Sequence, residues 1–471
     1  MPQKADRAVA VRAGAARAGL SGTAPKMRVL DSLHENGAKL VQMPSEAAAA
    51  LRAEQPGLRL APLVHYRKAD APRPKILEQF RTAARTTARA ARGPQVGGLK
   101  LKMLIQGTTL PAVGADVLVF TNYANRVGAE GKSNKRGEVT LALGPGPVRV
   151  QKLFIYPASG CWSLLKQNIS LASGQQFTLR PLDLSFTDVL RHFHGNAPLN
   201  AGQGVKVAVV DSGVNRHHDD LTVAGGRCTV AGENTAEYGD VGDSHGTHVA
   251  GIIAARGTAP DGLRGLAPSV LLYSYRVFGR NSEDASSFDI LKALDAARAD
   301  KCDLINLSLT YGQMDEVLRA GIEDARAAGI LVIAASGNDG RQPVSFPASD
   351  EMAVAVSATG RKGTFPADST SFPHGKVPFG RDRKNFIADF SNIGPETDLT
   401  GPGVDVLSTV PGGYAAMSGT SMACPAVTRH GGADAREEQA PPRPEARCRA
   451  FRGHCATAAA LGPSAGLRAK V

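Results

Sequence analysis

Hydrophobic positions change rhythm along this chain, and the changes mark its divisions. Between residues 97 and 182, runs such as LKLKMLI, ADVLVF, EVTLAL and VRVQKLFIY alternate apolar with polar side chains, separated by Gly107, Asn134, Gly137 and the run GPGP. A period of two, broken by turn residues, predicts short strands with one buried face, as in a β-sandwich. From residue 183 to 428 the apolar runs become continuous: VKVAVVDSG, LLYSYRVFG, DLINLSL, ILVIAASGN and MAVAVSA. Between them, FDILKALDAARAD and EVLRAGIEDARAAG carry apolar residues at helical spacing. Strands buried on both faces, alternating with amphipathic helices, predict an α/β fold: a mostly parallel sheet with helices on both faces. Functional side chains in such a fold belong outside the carboxyl ends of the strands.

The N-terminal part is organised differently. Over residues 27–66, AKLVQM predicts a strand, Pro44 and Ser45 open the helix SEAAAALRAE, and GLRLAPLVHY returns as a strand. About 40 residues bury too little core to stand alone, so this small α+β unit is expected to pack on something else. Residues 1–26 are expected to be a disordered basic arm, and the Pro- and Arg-rich stretch 67–96 a linker.

Composition narrows the function classes. The 42% apolar content suffices for packed cores, and 21% charged residues is ordinary for a globular chain. The formal charge is +12, but the densest basic run, RTAARTTARAAR, has no interleaved aromatics and reads as a solvated helix or linker; no nucleic-acid partner is expected. No stretch reaches the roughly 18 apolar residues of a membrane span. The N-terminus has no apolar segment of the Sec type, which leaves a secreted and a cytoplasmic location equally compatible with the chain. Six cysteines form no CxxC pair and no metal-ligand spacing. The single tryptophan, Trp162, is expected in a core.

Asp211 ends the run VKVAVVDSG, so a buried strand delivers a carboxylate to the sheet's carboxyl edge. Taken alone, an Asp there most often turns the chain or caps a helix. His245 lies in DSHGTHVAG, at a helix start; His248 follows three residues on, but the pair lacks a third ligand or the Glu of an HExxH site. Ser421 lies in SGTSMACP, where small neighbours leave its hydroxyl uncovered, Gly419 permits close backbone approach, and a following helix aims its positive end at any developing anion. Asn338, in AASGNDG, ends another strand with a side-chain amide. Each is weak evidence singly. Together they are what serine chemistry requires: a hydroxyl, a base to deprotonate it, a carboxylate to orient the base, and a donor for the oxyanion.

With DSGV, HGTHVAG, SGNDG, DFSNIGPETDLTGPGVDVLSTVPGG and GTSMACP in this order, residues 205–425 resemble the subtilisin-like (subtilase, S8-type) serine peptidase family. The resemblance implies a serine-type endopeptidase acting on polypeptides, with Ser421 the nucleophile, His245 the general base and then acid, and Asp211 its orienting partner. Asn338 becomes the oxyanion donor, with the backbone N–H of Ser421. Ser308 and Leu309, in INLSLTYG, match the edge segment that pairs with extended substrate, and Gly337 a further substrate contact; Thr310 stands where glycine is commoner. No cofactor is implied; family members often bind calcium, but no loop here has the ligand spacing. The 27–66 unit is similar to the family's pro-segments, which makes the chain's own N-terminal part an expected intramolecular inhibitor of a zymogen. Residues 97–182 resemble transthyretin-like domains.

One stretch departs from the family. The apolar run after Pro425 stops at Thr428, and Arg429-His430-Gly431-Gly432 is expected to end the helix, since each interior Gly costs about 1 kcal/mol relative to Ala. Residues 429–471 are expected to be disordered, as the product of a reading-frame change or of a naturally short protein. The peptidase unit would then lack the helix behind Ser421. The alternative to an active enzyme is a truncated or frameshifted, catalytically impaired descendant that at most binds peptides.

Overall fold

The computed structural model describes residues 7–12, 27–77, 98–144, 146–375 and 382–434. The first unit is an antiparallel sheet of Arg7–Arg12 (β1), Arg28–Ser32 (β2), Lys39–Gln42 (β3) and Leu58–Pro62 (β4), in the order β2-β3-β1-β4. The helix Ser45–Glu54 (α1) supplies Leu51 to a small core with Val41, Met43 and Leu60. The expectation of a disordered arm over residues 1–26 is corrected at 7–12. β1 lies between β3 and β4, with Val9 opposite Leu40 on one side and Ala61 on the other. Its sequence, RAVAVR, is a short run inside an Arg/Ala-rich stretch, and two neighbouring strands supply the pairing.

After β4 the chain continues as a strand, His65–Lys68 (β5), and residues 69–77 remain described. This corrects the linker expected to start at 67. The rest of the linker, 78–96, lies outside the described residues. The second unit comprises Leu99–Ile105 (β6), Asp116–Asn122 (β7), Val127–Lys132 (β8), Glu138–Leu141 (β9), Val148–Tyr156 (β10), Leu164–Leu171 (β11) and Gln175–Leu179 (β12). They form one sheet ordered β11-β10-β7-β8 and another ordered β12-β6-β9. The alternation along each strand turns one row inward, and Leu99, Leu101, Val117, Val119, Leu153 and Leu179 share a single core.

The third unit holds the large sheet. Its elements are Val189–His194 (α2), Lys206–Asp211 (β13), Val223–Cys228 (β14), His245–Ala254 (α3), Leu271–Arg276 (β15), Asp284–Ser286 (β16), Ser287–Ala299 (α4), Leu304–Leu307 (β17), Leu309–Thr310 (β18) and Glu316–Ala327 (α5). Leu331–Ala335 (β19), Ala353–Arg361 (β20), Asn385–Ile387 (β21), Leu399–Pro402 (β22), Val406–Val410 (β23), Gly413–Met417 (β24) and Thr420–Asp434 (α6) complete it. The order is β14-β15-β13-β17-β19-β20-β21, with β22 also on β20, and only the β20–β21 pairing is antiparallel. Successive residues of β13 enter opposite cores. Ala208 and Val210 pack with Ile290, Leu294, Leu318 and Ile322 of α4 and α5. Val207 and Val209 pack with Val249, Ile252 and Ile253 of α3 and Met422 of α6. The strand order reverses at β13, so Asp211 at its carboxyl end stands at the switch point of the sheet.

The first unit docks on this one: Ala38 and Leu40 share a core with Phe288, Leu291 and Val317, and Lys292 Nζ lies 2.7 Å from Asp31 Oδ2. Trp162, 3% exposed, packs edge-on against Phe186 within a core of the large unit.

The helix behind Ser421 also corrects an expectation. α6 does not stop at Thr428 but runs to Asp434, through the Gly-Gly pair. Residues 421–428 are buried between two cores, Met422 and Ala426 in one and Ala423, Cys424 and Val427 in the other. That burial outweighs the cost of two glycines beyond it. The tail from 435 lies outside the described residues. No helix among the described residues is long and apolar enough to cross a membrane.

Candidate active site

Asp211 is fully buried at the end of β13, and its Oδ1 accepts from the Ser212 N–H at 2.7 Å. The same oxygen lies 2.7 Å from Nδ1 of His245. His245 is the first residue of α3, whose ten residues are all buried. The helix lies so close to β13 that a Cβ on Gly246 would stand 2.4 Å from the Gly213 carbonyl and 3.2 Å from the Asp211 Cβ; only glycine fits there. Asp243 Oδ1 accepts from the His245 N–H at 2.9 Å, satisfying one of the helix's free donors. His248, one turn on, is a structural residue: Nε2 lies 3.0 Å from the Val406 carbonyl and 3.2 Å from that of Ala415, and burial pushes its pKa down to about 4.

Ser421 lies at the N-terminal end of α6 with no exposed surface. Pro425, one turn later, cannot donate to the Ser421 carbonyl, and the hydroxyl of Ser308 does so instead at 3.0 Å. The Ser421 hydroxyl donates to the Ser308 carbonyl at 3.0 Å rather than to His245, whose Nε2 faces Asp70. Asn338 follows β19; its Oδ1 accepts from the Thr420 N–H at 2.9 Å, and its Nδ2 is buried without a partner. An unpaired buried donor is costly in a finished fold, on the order of 1–3 kcal/mol, and is kept where a ligand atom will use it.

The cleft is occupied by the chain itself. β5 inserts antiparallel between β16 and β18, pairing Tyr66 with Ala285, Arg67 with Thr310 and Lys68 with Leu309. The Ala69 N–H donates to the Ser308 carbonyl at 3.1 Å, the Ser421 N–H donates to the Ala69 carbonyl at 3.0 Å, and the Ala71 N–H donates to the Ser418 carbonyl at 2.8 Å. Gly419 lies beneath: a Cβ there would be 2.5 Å from the Ala69 oxygen and 3.0 Å from the Ala71 nitrogen. Residues 65–71 thus form a strap that contacts Ser308, Leu309 and Ser421. Gly337 instead uses its N–H on Thr420 Oγ1 at 3.2 Å and its carbonyl on the Asn392 N–H at 2.9 Å.

The strap's side chains are held individually. Tyr66 is fully buried, its ring 5.5 Å from that of Tyr311 and 6.4 Å from that of Phe346, and its hydroxyl donates to Asp315 Oδ2 at 2.9 Å. Lys68 forms an ion pair with Asp243. Asp70 Oδ1 lies 3.2 Å from His245 Nε2. Burial alone would push the imidazole's pKa down; the carboxylates of Asp211 and Asp70 overcome it and hold it well above its ordinary value. The imidazole, with Lys68 and Arg73, in turn outweighs the desolvation of Asp70 and holds that carboxyl at about 2. The sequence placed His65 and Tyr66 in a strand but assigned the rest of the strap, from Arg67, to a linker. The fragment RKADAP is polar and Pro-flanked, and only the edges it pairs with reveal it as a strand.

An open cavity of about 470 Å³, lined by Thr187, Arg191, Gly257 and Arg264, lies away from these residues. Among the described residues no three His, Cys, Asp or Glu side chains are grouped as metal ligands.

A switch-point carboxylate, a buried imidazole on it, a serine at a helix N-terminus and an unpaired amide donor are the groups that serine-nucleophile chemistry calls for. Comparison with known proteins narrows the class. The Peptidase_S8 profile, described as Subtilase family, matches residues 202–441, about half of the chain. Subtilisin BL of Lederbergia lenta is 39% identical over 227 residues, covering 48% of this chain and 74% of that protein. An alkaline protease of Shouchella clausii is 39% identical over 227 residues (48% of this chain, 52% of that one), and subtilisin E of Bacillus subtilis is 38% identical over 231 (48% and 54%). The chain belongs to the subtilase family of serine peptidases.

Proposed function

We propose that this chain is a serine endopeptidase that cleaves extended polypeptide segments through Asp211, His245 and Ser421. One observation carries the reading: a peptide backbone already lies across the site in strand pairing with β16 and β18, its Ala69 carbonyl hydrogen-bonded to the Ser421 N–H. In the reaction the Ser421 hydroxyl gives its proton to His245 Nε2 and attacks the substrate carbonyl. Asp211 holds the imidazole by Nδ1 and balances its charge. The oxyanion is met by the Ser421 N–H, the free Asn338 Nδ2–H and the positive end of α6. Collapse of the intermediate passes the imidazolium proton to the leaving amine, and water then hydrolyses the ester. These side chains supply every proton transfer the reaction needs, and no cofactor is invoked.

The first unit with its strap is the intramolecular inhibitor of this site. It is anchored on α4 and α5 through Leu40 and Asp31 and extends β5 into the cleft. Residues 97–182, which hold the two-sheet unit, are read as an appended transthyretin-like domain.

The test is hydrolysis of a chromogenic peptide anilide copying the strap, Tyr-Arg-Lys-Ala, by chain freed of its first unit. The wild type should release the anilide and Ser421→Ala should not. Equal turnover by both proteins would overturn the assignment.

A further inference from the structure

The strap does not end at the site; it crosses it. Ala69 contacts the serine's backbone from one side, Ala71 bonds Ser418 on the other, and Ile76 is buried with Leu118, Phe120, Phe154 and Leu165 of the two-sheet unit. The chain is therefore gripped on both sides of Asp70, and the carbonyl bonded to the Ser421 N–H belongs to the Ala69–Asp70 peptide bond. Asp70 is also the one strap residue whose side chain reaches the imidazole, on the nitrogen opposite Asp211.

The bond whose carbonyl meets the Ser421 N–H is Ala69–Asp70, and we propose that the Asp70 carboxylate holds back its cleavage by pairing with His245 Nε2 and keeping the base protonated. This rests on the catalytic reading above and adds to it the control of that cut. In the cut, the Ser421 Oγ–H proton passes to Nε2, Oγ bonds the Ala69 carbonyl carbon, and the Ala69–Asp70 C–N bond breaks as the imidazolium proton moves to the Asp70 nitrogen. Water then opens the ester, leaving a carboxylate on Ala69, an α-amino group on Asp70 and Ser421 restored. An imidazole that already holds a proton on Nε2 cannot begin this sequence. The geometry agrees: Nε2 faces Asp70, and the Ser421 hydroxyl is turned to the Ser308 carbonyl. Asp70 is a positioning residue, acting through His245.

The charged groups around the imidazole come from four directions. Asp211 reaches it from β13, and Asp243 lies just before α3, bonded to its N–H and ion-paired with Lys68. His248 lies behind it in α3, held neutral by its low pKa. From the strap come Asp70 itself, Lys68 and Arg73, the two cations acting on Asp70. Of these only Asp70 touches Nε2. Removing one opposite charge at such a distance lowers a pKa by about one to three units.

The experiment follows self-cleavage of the full chain from pH 5 to 10, with N-terminal sequencing of the larger product. A new terminus at Asp70 is expected, absent in Ser421→Ala, with a rate that climbs as pH passes above 6.5. Asp70→Asn should shift that profile towards acid by about one to three units and cut at least about tenfold faster near pH 6. Asp70→Glu should restore the alkaline profile. A terminus elsewhere, or an unchanged Asp70→Asn profile, overturns the proposal. Labelling of Ser421 by a fluorophosphonate separates the two failures. Labelled but never cut at 69–70 leaves the peptidase reading standing without this proposal; neither labelled nor cut removes both.

Discussion

Tyr66 gives the most quantitative hold on the strap. It is fully buried between Tyr311 and Phe346, with its hydroxyl on Asp315. Truncating a buried aromatic to alanine costs about 3–5 kcal/mol. Tyr66→Phe keeps the ring but leaves Asp315 Oδ2 facing a buried edge, at about 1–3 kcal/mol. At about 1.4 kcal/mol per decade, the fraction of molecules with an open cleft should rise about 100- to 4,000-fold for Tyr66→Ala and about 5- to 100-fold for Tyr66→Phe. The assay is the rate of fluorophosphonate labelling of uncut chain at pH 5, because the reagent reaches Ser421 only when the strap has left. Labelling rates that keep the order Ala, Phe, Tyr are expected. Equal rates for all three would refute the claim that this ring holds the strap in place.

Other outcomes follow from the same geometry. Asn338→Ala should lower kcat on the order of 10²- to 10³-fold, the known cost of removing one oxyanion donor, with KM little changed in steady-state kinetics. Gly419→Ala should lower kcat/KM about 100-fold or more while circular dichroism stays native, because its methyl displaces the backbone that Ala69 and Ala71 occupy. Ser308→Ala should destabilise by about 1–3 kcal/mol in urea unfolding, because Pro425 cannot replace the lost donor to the Ser421 carbonyl. The His245–Asp70 pair should tighten the strap only within a pH window. The raised imidazole contributes fully below its ordinary 6.5 and loses its contribution as pH rises through its higher bound value. The lowered Asp70 contributes above its ordinary 3.8 and loses that as pH falls towards 2. Strap dissociation in the Ser421→Ala chain should therefore be slowest between about pH 4 and 7; a minimum above pH 9 would contradict the pair.

The large sheet was legible because its strands are continuous Val/Ile-rich runs, a signal that survives without knowing their neighbours. The candidate residues were legible for the same reason: Asp211 and Asn338 follow such strands, and His245 and Ser421 open helices that small residues announce. What escaped depends on partners distant in sequence. β1 has the composition of a solvated arm and is a strand only between β3 and β4. From Arg67 the strap looks like linker and is ordered only by β16 and β18. α6 was expected to end early because propensity was weighed on the glycines after it, whereas two cores bury the eight residues from Ser421 to Thr428. Asp70 carried no signal, since nothing local distinguishes it from any other linker acid.

The account depends above all on Ser421 being a nucleophile made reactive by His245. Peptide mapping by mass spectrometry after fluorophosphonate treatment of the Tyr66→Ala chain reads this directly. One adduct on the peptide bearing Ser421, lost in His245→Ala and in Ser421→Ala, is the predicted result. An adduct that persists in His245→Ala at the same rate, or that maps to another serine, would contradict it.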